Sequence, residues 1–213
     1  MAINLVDAVM NNLKGPILEQ VSGWIGESPQ KTEAATKDIV PTILSELAGK
    51  VSGAEGEGLL STIFDKVDDG LLDKLGSILK GGEATKVAKT GGNLLTTIFG
   101  DNLVTTLISG ISKIAGIGGG SAKSLLGFLA PVIFGALKRL VTKNGLVPSV
   151  KWLIGLLGKQ KASMTGSLSK GLSDLLGSVS AGAASLVETV TETVTEAEAA
   201  VEAAAETAAT AAG

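Results

Sequence analysis

The chain has 213 residues, 45% apolar but only 3% aromatic, with 29 glycines, no Tyr, no His, no Cys and a net charge of −3. Without Cys there is no disulfide, thiolate nucleophile or Cys-ligated zinc; without His the commonest general base, the usual metal ligand and the physiological pH switch are gone. What remains is Leu, Ile, Val and Ala among many glycines, which points to short, closely packed helices and away from a sheet.

The opening "MAINLVDAVMNNLK" has no basic start and no long apolar run, and Asp7 interrupts it, so it does not read as a secretory leader. Ile3, Leu5, Val6, Val9, Met10 and Leu13 fall on one helical stripe, ended by Gly15-Pro16. Pro16 suits the first turn of a second helix, where its missing N–H costs nothing, and that helix buries Ile17, Val21, Trp24 and Ile25. Ser28 before Pro29 reads as an N-cap followed by proline at the first helical position. The helix it opens buries Ala35, Ile39, Ile43, Leu44 and Leu47, with Pro41 expected to kink or break it. A loop is expected over 49–58.

Two nearly identical heptapeptides follow, "GLLSTIF" at 58–64 and "NLLTTIF" at 93–99. In a helix, Leu59, Leu60, Ile63 and Phe64 share one face, as do Leu94, Leu95, Ile98 and Phe99. Each precedes a second amphipathic segment, Leu71 to Leu79 in one case and Leu103 to Ile114 in the other. The phrase reads as the first helix of a helix pair, used twice, and too short to stand without neighbours.

A second echo has a spacing of 90: "KDIVPTILSELAGKV" (37–51) aligns with "GFLAPVIFGALKRLV" (127–141), Pro41 over Pro131, Ile43 over Ile133 and Leu47 over Leu137. It suggests either a duplicated multi-helix unit or shared periodicity alone. The apolar run 125–137 is shorter than the roughly 20 residues a bilayer span needs, so a buried helix is expected. Further helices are expected over 148–158 and 167–179. From Ala181 onward the chain is Ala, Glu, Thr and Val without a base, either a lone helix or, as the favoured reading, a disordered acidic tail.

"GIGGGSAKS" (116–124) has the look of a phosphate loop, but Ala122 and Ile117 stand where a Walker A motif needs glycine, and Ser121 where the dinucleotide motif does. It reads as a flexible linker with Ser121 capping the next helix. Asp68 and Asp69, flanked by Asp65 and Asp73, lack calcium-loop spacing and read as a solvated loop. No cofactor or metal is expected.

Charge is segregated along the chain. Residues 1–101 hold 9 Lys against 14 Asp and Glu, residues 102–173 hold 9 bases and no acid, and 7 acids without a base follow from Asp174. Lys138, Arg139, Lys143, Lys151, Lys159 and Lys161 are therefore candidate contacts to an anionic surface, with Lys170 beside them. One Arg and few aromatics argue against nucleic acid, while lysines beside Leu/Ile-rich helices and Trp152 suit an anionic membrane surface. A solvated face balancing the acidic segments is the plainer alternative, and the acidic tail would then lie loosely over the basic half.

"NLLTTIFGD", "SAKSLLGFLAPVIFGALKRL" and "LVPSVKWLIGLLGKQ" together resemble the bacterial YidB-like family, a domain of unknown function, over roughly residues 30–180. The resemblance implies an all-helical fold and carries over no activity, cofactor or catalytic residue. Members often have His where this chain has Thr97.

The sequence thus predicts an all-α, multihelical array of short amphipathic helices over 1–180, with two related halves and an acidic Ala-rich tail over 181–213. It predicts a cytoplasmic, non-enzymatic structural or interaction protein, binding itself or another protein through small-residue helices. Peripheral binding of an anionic membrane through 102–173 is the alternative. An enzyme would need Ser, Lys or carboxylate chemistry for which no constellation appears.

Overall fold

A computed structural model describes residues 4–53, 55–68, 70–143, 150–174 and 176–177, with residue 143 described in its backbone alone. The chain divides into two compact units, Met1–Ser173 and Asp174–Gly213, and the acidic tail of the second lies outside the described residues. Among the described residues, the regular elements of the first unit are all helical: α1 (Leu5–Met10), α2 (Pro16–Ile25), α3 (Pro29–Lys50), α4 (Gly56–Asp65), α5 (Leu75–Lys80), α6 (Ala84–Phe99), α7 (Asp101–Ala115), α8 (Gly119–Lys143) and α9 (Val150–Gly166), with a 3-10 turn at Leu72–Lys74. The fold is all-α and multihelical, as the composition predicted.

Two long helices form the centre. In α8, Leu125, Leu126, Phe128, Leu129, Val132, Ile133, Phe134 and Leu137 are all sealed from solvent, so the helix is apolar on every side and must be covered on every side. By length and composition, Gly119–Thr142 could cross a bilayer, but 72% of its apolar window is buried within the fold, as in the core helix of a bundle. The 13-residue run expected from sequence is thus the middle of a longer helix. In α3, Ile39, Ile43, Leu44 and Leu47 are equally buried, together with Thr32, Thr36 and Thr42. Each threonine hydroxyl donates to the carbonyl four residues back, at 3.0, 2.7 and 2.6 Å respectively, so no buried hydroxyl of the three goes unpaired.

Neither proline breaks its helix. Pro41 and Pro131 each forgo one N–H, leaving the carbonyls of Lys37 and Gly127 without their i+4 donor, yet α3 and α8 run through. Both prolines are buried. The expected break at Pro41 is corrected: continuous burial on both sides of it outweighs one missing hydrogen bond.

The 90-residue echo extends beyond the prolines. Helix α2 ends at Gly26 (φ 74°) and α7 at Gly116 (φ 63°), both left-handed, which only glycine adopts without strain. The N–H groups of Gly26 and Glu27 donate to the Ser22 carbonyl, and those of Gly116 and Ile117 to the Ser112 carbonyl. Helices α3 and α8 start 90 residues apart as well. The two turns also clasp each other. Lys31 Nζ donates to the Gly116 carbonyl at 2.6 Å, Gly118 N–H to Glu27 Oε1 at 2.8 Å, and Ser121 Oγ to the Ile25 carbonyl at 3.0 Å. Ser121 is therefore not the N-cap expected of it; α8 has already begun at Gly119, and the "GIGGGS" stretch is a tight turn running into a helix.

The heptapeptides both lie in helices and share three buried positions, Leu60, Ile63 and Phe64 in one and Leu95, Ile98 and Phe99 in the other, while Leu94 is buried and its counterpart Leu59 only half-buried. Their surroundings differ, because "GLLSTIF" is most of α4 whereas "NLLTTIF" is only the end of the longer α6. The predicted N-caps fare well at the start of the chain. Pro16 opens α2, and Ser28 Oγ accepts from Lys31 N–H at 3.3 Å ahead of Pro29. The first stripe shortens to α1, capped by Asn4, with Leu13 buried just past its end.

Candidate groove between α6, α7 and α8

The most extensive helix pair is α6 on α8. It is close because the crossing is made by glycine: a Cβ on Gly91 would run into the Gly127 carbonyl and Pro131, and one on Gly127 into the Ala88 carbonyl. One residue along α6, and about 100° round the helix, Gly92 faces open space with nothing within 4 Å of where its Cβ would sit. There α6, α7 and the first turns of α8 leave a groove of ≈ 570 Å³, closed at one side by Trp24 of α2. The volume lies within the roughly 300–1,000 Å³ usual for binding clefts.

Its floor is apolar. Leu95, Val104, Ile108 and Leu126 line it, and the half-buried Trp24 ring sits 5.5 Å from Phe128, tilted by 52°. Its rim is polar, with Lys89, Asn93 and Thr96 from α6, Asp101 from α7, and Lys123 and Ser124 from α8. Lys89 and Lys123 are exposed. Asp101 sits in the first turn of α7, where its charge complements the helix dipole. A smaller cleft of ≈ 400 Å³ lies between Asn4 and Met164; Gln160 Oε1, on its wall, accepts from Leu5 N–H at 3.0 Å and ties α9 to α1.

The basic residues singled out from sequence scatter. Lys138 Nζ donates to the Phe64 and Val67 carbonyls at 2.8 and 3.0 Å, satisfying the C-terminal end of α4. Arg139 Nη1 pairs with Asp73 Oδ1 at 2.9 Å. Lys161 lies near Glu46, whose carboxyl is pushed up by burial, with Lys161 and Lys50 pulling against it. Lys151, Lys159 and Lys170 are exposed; the side chain of Lys143 lies outside the described residues. So Lys138 serves the packing of the fold, Arg139 is held in an exposed ion pair, and the five with described side chains do not gather on one helix.

Asp68 Oδ1 accepts from Gly70 N–H at 2.7 Å and shapes a turn, while Asp69 lies outside the described residues. Among the described residues no group of three or more His, Cys, Asp or Glu is placed to hold a metal ion. Thr97 is exposed and donates to the Asn93 carbonyl at 2.8 Å. The groove itself was not anticipated. Trp24 reads as core and Lys123 as part of a failed phosphate loop, while Lys89 and Gly92 fall in no motif.

A family model described as "Bacterial protein of unknown function (DUF937)" matches residues 7–139, from α1 into the last turns of α8. The chain belongs to this family. YidB is a member, so the YidB-like resemblance holds, although the matched span starts and ends earlier than the 30–180 read from sequence. All three walls of the groove fall within it. No curated protein and no solved structure matches the chain.

Proposed function

We propose that this DUF937 domain is a non-enzymatic interaction module whose working surface is the α6–α7–α8 groove, which receives a segment of another polypeptide. The observation that carries the reading is the groove's anatomy: an apolar floor with a half-buried Trp24, a polar rim, and a glycine wall at Gly92. An amphipathic helix laid into such a groove buries its apolar face and keeps its polar face wet. The closest small-residue contact between α6 and α8, Gly91 on Gly127, lies within the fold.

Selection of helical peptides from a displayed library tests this. Peptides should be recovered that bind the full chain and are lost on Gly92→Leu, which puts a side chain into the groove at a position where a Cβ meets nothing within 4 Å. Recovery only of peptides indifferent to Gly92→Leu would place binding elsewhere.

Peripheral association with anionic membranes is a second reading, favoured by Trp152, 38% exposed on α9 beside the exposed Lys151 and Lys159. Co-sedimentation with anionic vesicles that falls on Trp152→Ala would support it. Equal pelleting with neutral vesicles, or none, would remove it.

A further inference from the structure

We infer that the segment the groove receives is an acid-bearing amphipathic helix, an inference that rests on the groove being a polypeptide site. Two cations line the groove from different helices, Lys89 on α6 and Lys123 on α8, both exposed beside an apolar floor. The one acid among them, Asp101, already sits against the positive end of α7. No acidic residue occurs anywhere between 102 and 173, so α7 beyond its first residue and all of α8 add no negative field to the groove. Carboxylates flanking the apolar face of a docked helix meet these two lysines, whereas lysines there meet like charges.

The polypeptide character comes from the wall. Gly92 has no side chain and nothing within 4 Å of its Cβ direction, so a partner's backbone can lie against α6 itself. An occupant that used only side-chain pockets would gain nothing from that bare stretch. Leu95 and Trp24 then supply apolar seats for residues spaced at i, i+3 and i+4 of the partner.

The test uses the full chain carrying Trp152→Phe, so that Trp24 is the sole tryptophan and reports on the groove. Two helical peptides of about 18 residues share one Leu face and differ only in carrying Glu or Lys elsewhere. The acidic peptide should shift Trp24 emission and bind at least about tenfold more tightly than its basic twin at low salt, the gap narrowing as salt screens it. Gly92→Leu should abolish that binding, and Lys89→Glu with Lys123→Glu should reverse the preference.

Equal binding of both peptides, lost on Gly92→Leu, would overturn the charge inference and leave the groove as a polypeptide site. Binding that survives Gly92→Leu would overturn both. If neither peptide binds while dodecanoate shifts Trp24 emission, the groove belongs to small amphiphiles and the inference falls; no response to any of the three overturns it as well.

Discussion

The α2–α3 pair and the α7–α8 pair share one local grammar and meet different surroundings. Each has a three-residue turn whose left-handed glycine closes a shorter helix, followed by a long helix with a buried proline, all offset by 90. Helix α3 nevertheless keeps a solvent face, with Lys37 paired to Glu33 at 2.7 Å, and seats three threonines in its core by folding their hydroxyls inward. Helix α8 has no solvent face through its middle and no polar residue there. The difference shows that the turn signals fix where each pair bends, while coverage by neighbours decides what its long helix is made of. Gly127 marks the point where that coverage is tightest, and its counterpart 90 residues earlier is the exposed Lys37.

The comparison predicts equal burial at one matched site. Phe134 and Leu44 are counterparts, both fully inaccessible. Phe134→Ala should cost about 3–5 kcal/mol and Leu44→Ala about 2–5 kcal/mol in denaturant melts, with Phe99→Ala in the same range as Phe134→Ala. A loss below about 1 kcal/mol at either matched position would break the equivalence of the two pairs.

At Gly127 and Lys37 the pairs should diverge. Gly127→Ala drives a methyl group into the Ala88 carbonyl and should cost about 1–3 kcal/mol or more. Lys37→Ala should stay within about 0.5 kcal/mol. Similar losses at the two would mean that α8 is no more tightly covered than α3.

The smallest effects separate two carboxylates by sign. The Glu27 carboxyl is lowered, first by the Gly118 backbone hydrogen bond, with Ser121 and Lys31 adding to it against some desolvation. A lowered folded-state value stabilises the fold above the ordinary glutamate range, and the benefit is lost as pH falls through that range. Glu27→Gln should therefore lower the melting temperature at neutral pH and change little in acid. Glu46 runs the other way: burial raises it, so its charged form weakens the fold above the raised value and the penalty fades as pH falls. Glu46→Gln should raise the melting temperature at neutral pH and lose the advantage below the glutamate range. A melting temperature unchanged or raised by Glu27→Gln at neutral pH would show that the clasp at Glu27 does not hold the turns together.

Much of the fold was legible because its signals are local. Pro16, Ser28-Pro29 and the periodic Leu and Ile residues mark helices without reference to anything distant. Pro41 left a kink and a break both open for the opposite reason: whether a proline breaks a helix depends on burial around it, which the sequence does not state, and α3 runs on through it. Ser121 reads as a cap until α2 is in place, since its hydroxyl partner, the Ile25 carbonyl, lies 96 residues away. The groove was illegible for the same cause. Lys89, Asp101 and Lys123 carry no shared motif and come together only when three helices pack, and Gly91 and Gly92 look alike until one is found pressed on α8 and the other bare.

The most direct test of the groove as the working surface is an amide-resolved NMR titration of the full chain with the acidic helical peptide. The account predicts that shifts gather on residues 88–96 of α6, 101–108 of α7 and 123–127 of α8, with Trp24 among them. Shifts centred instead on 151–161 of α9, leaving α6 unmoved, would contradict it.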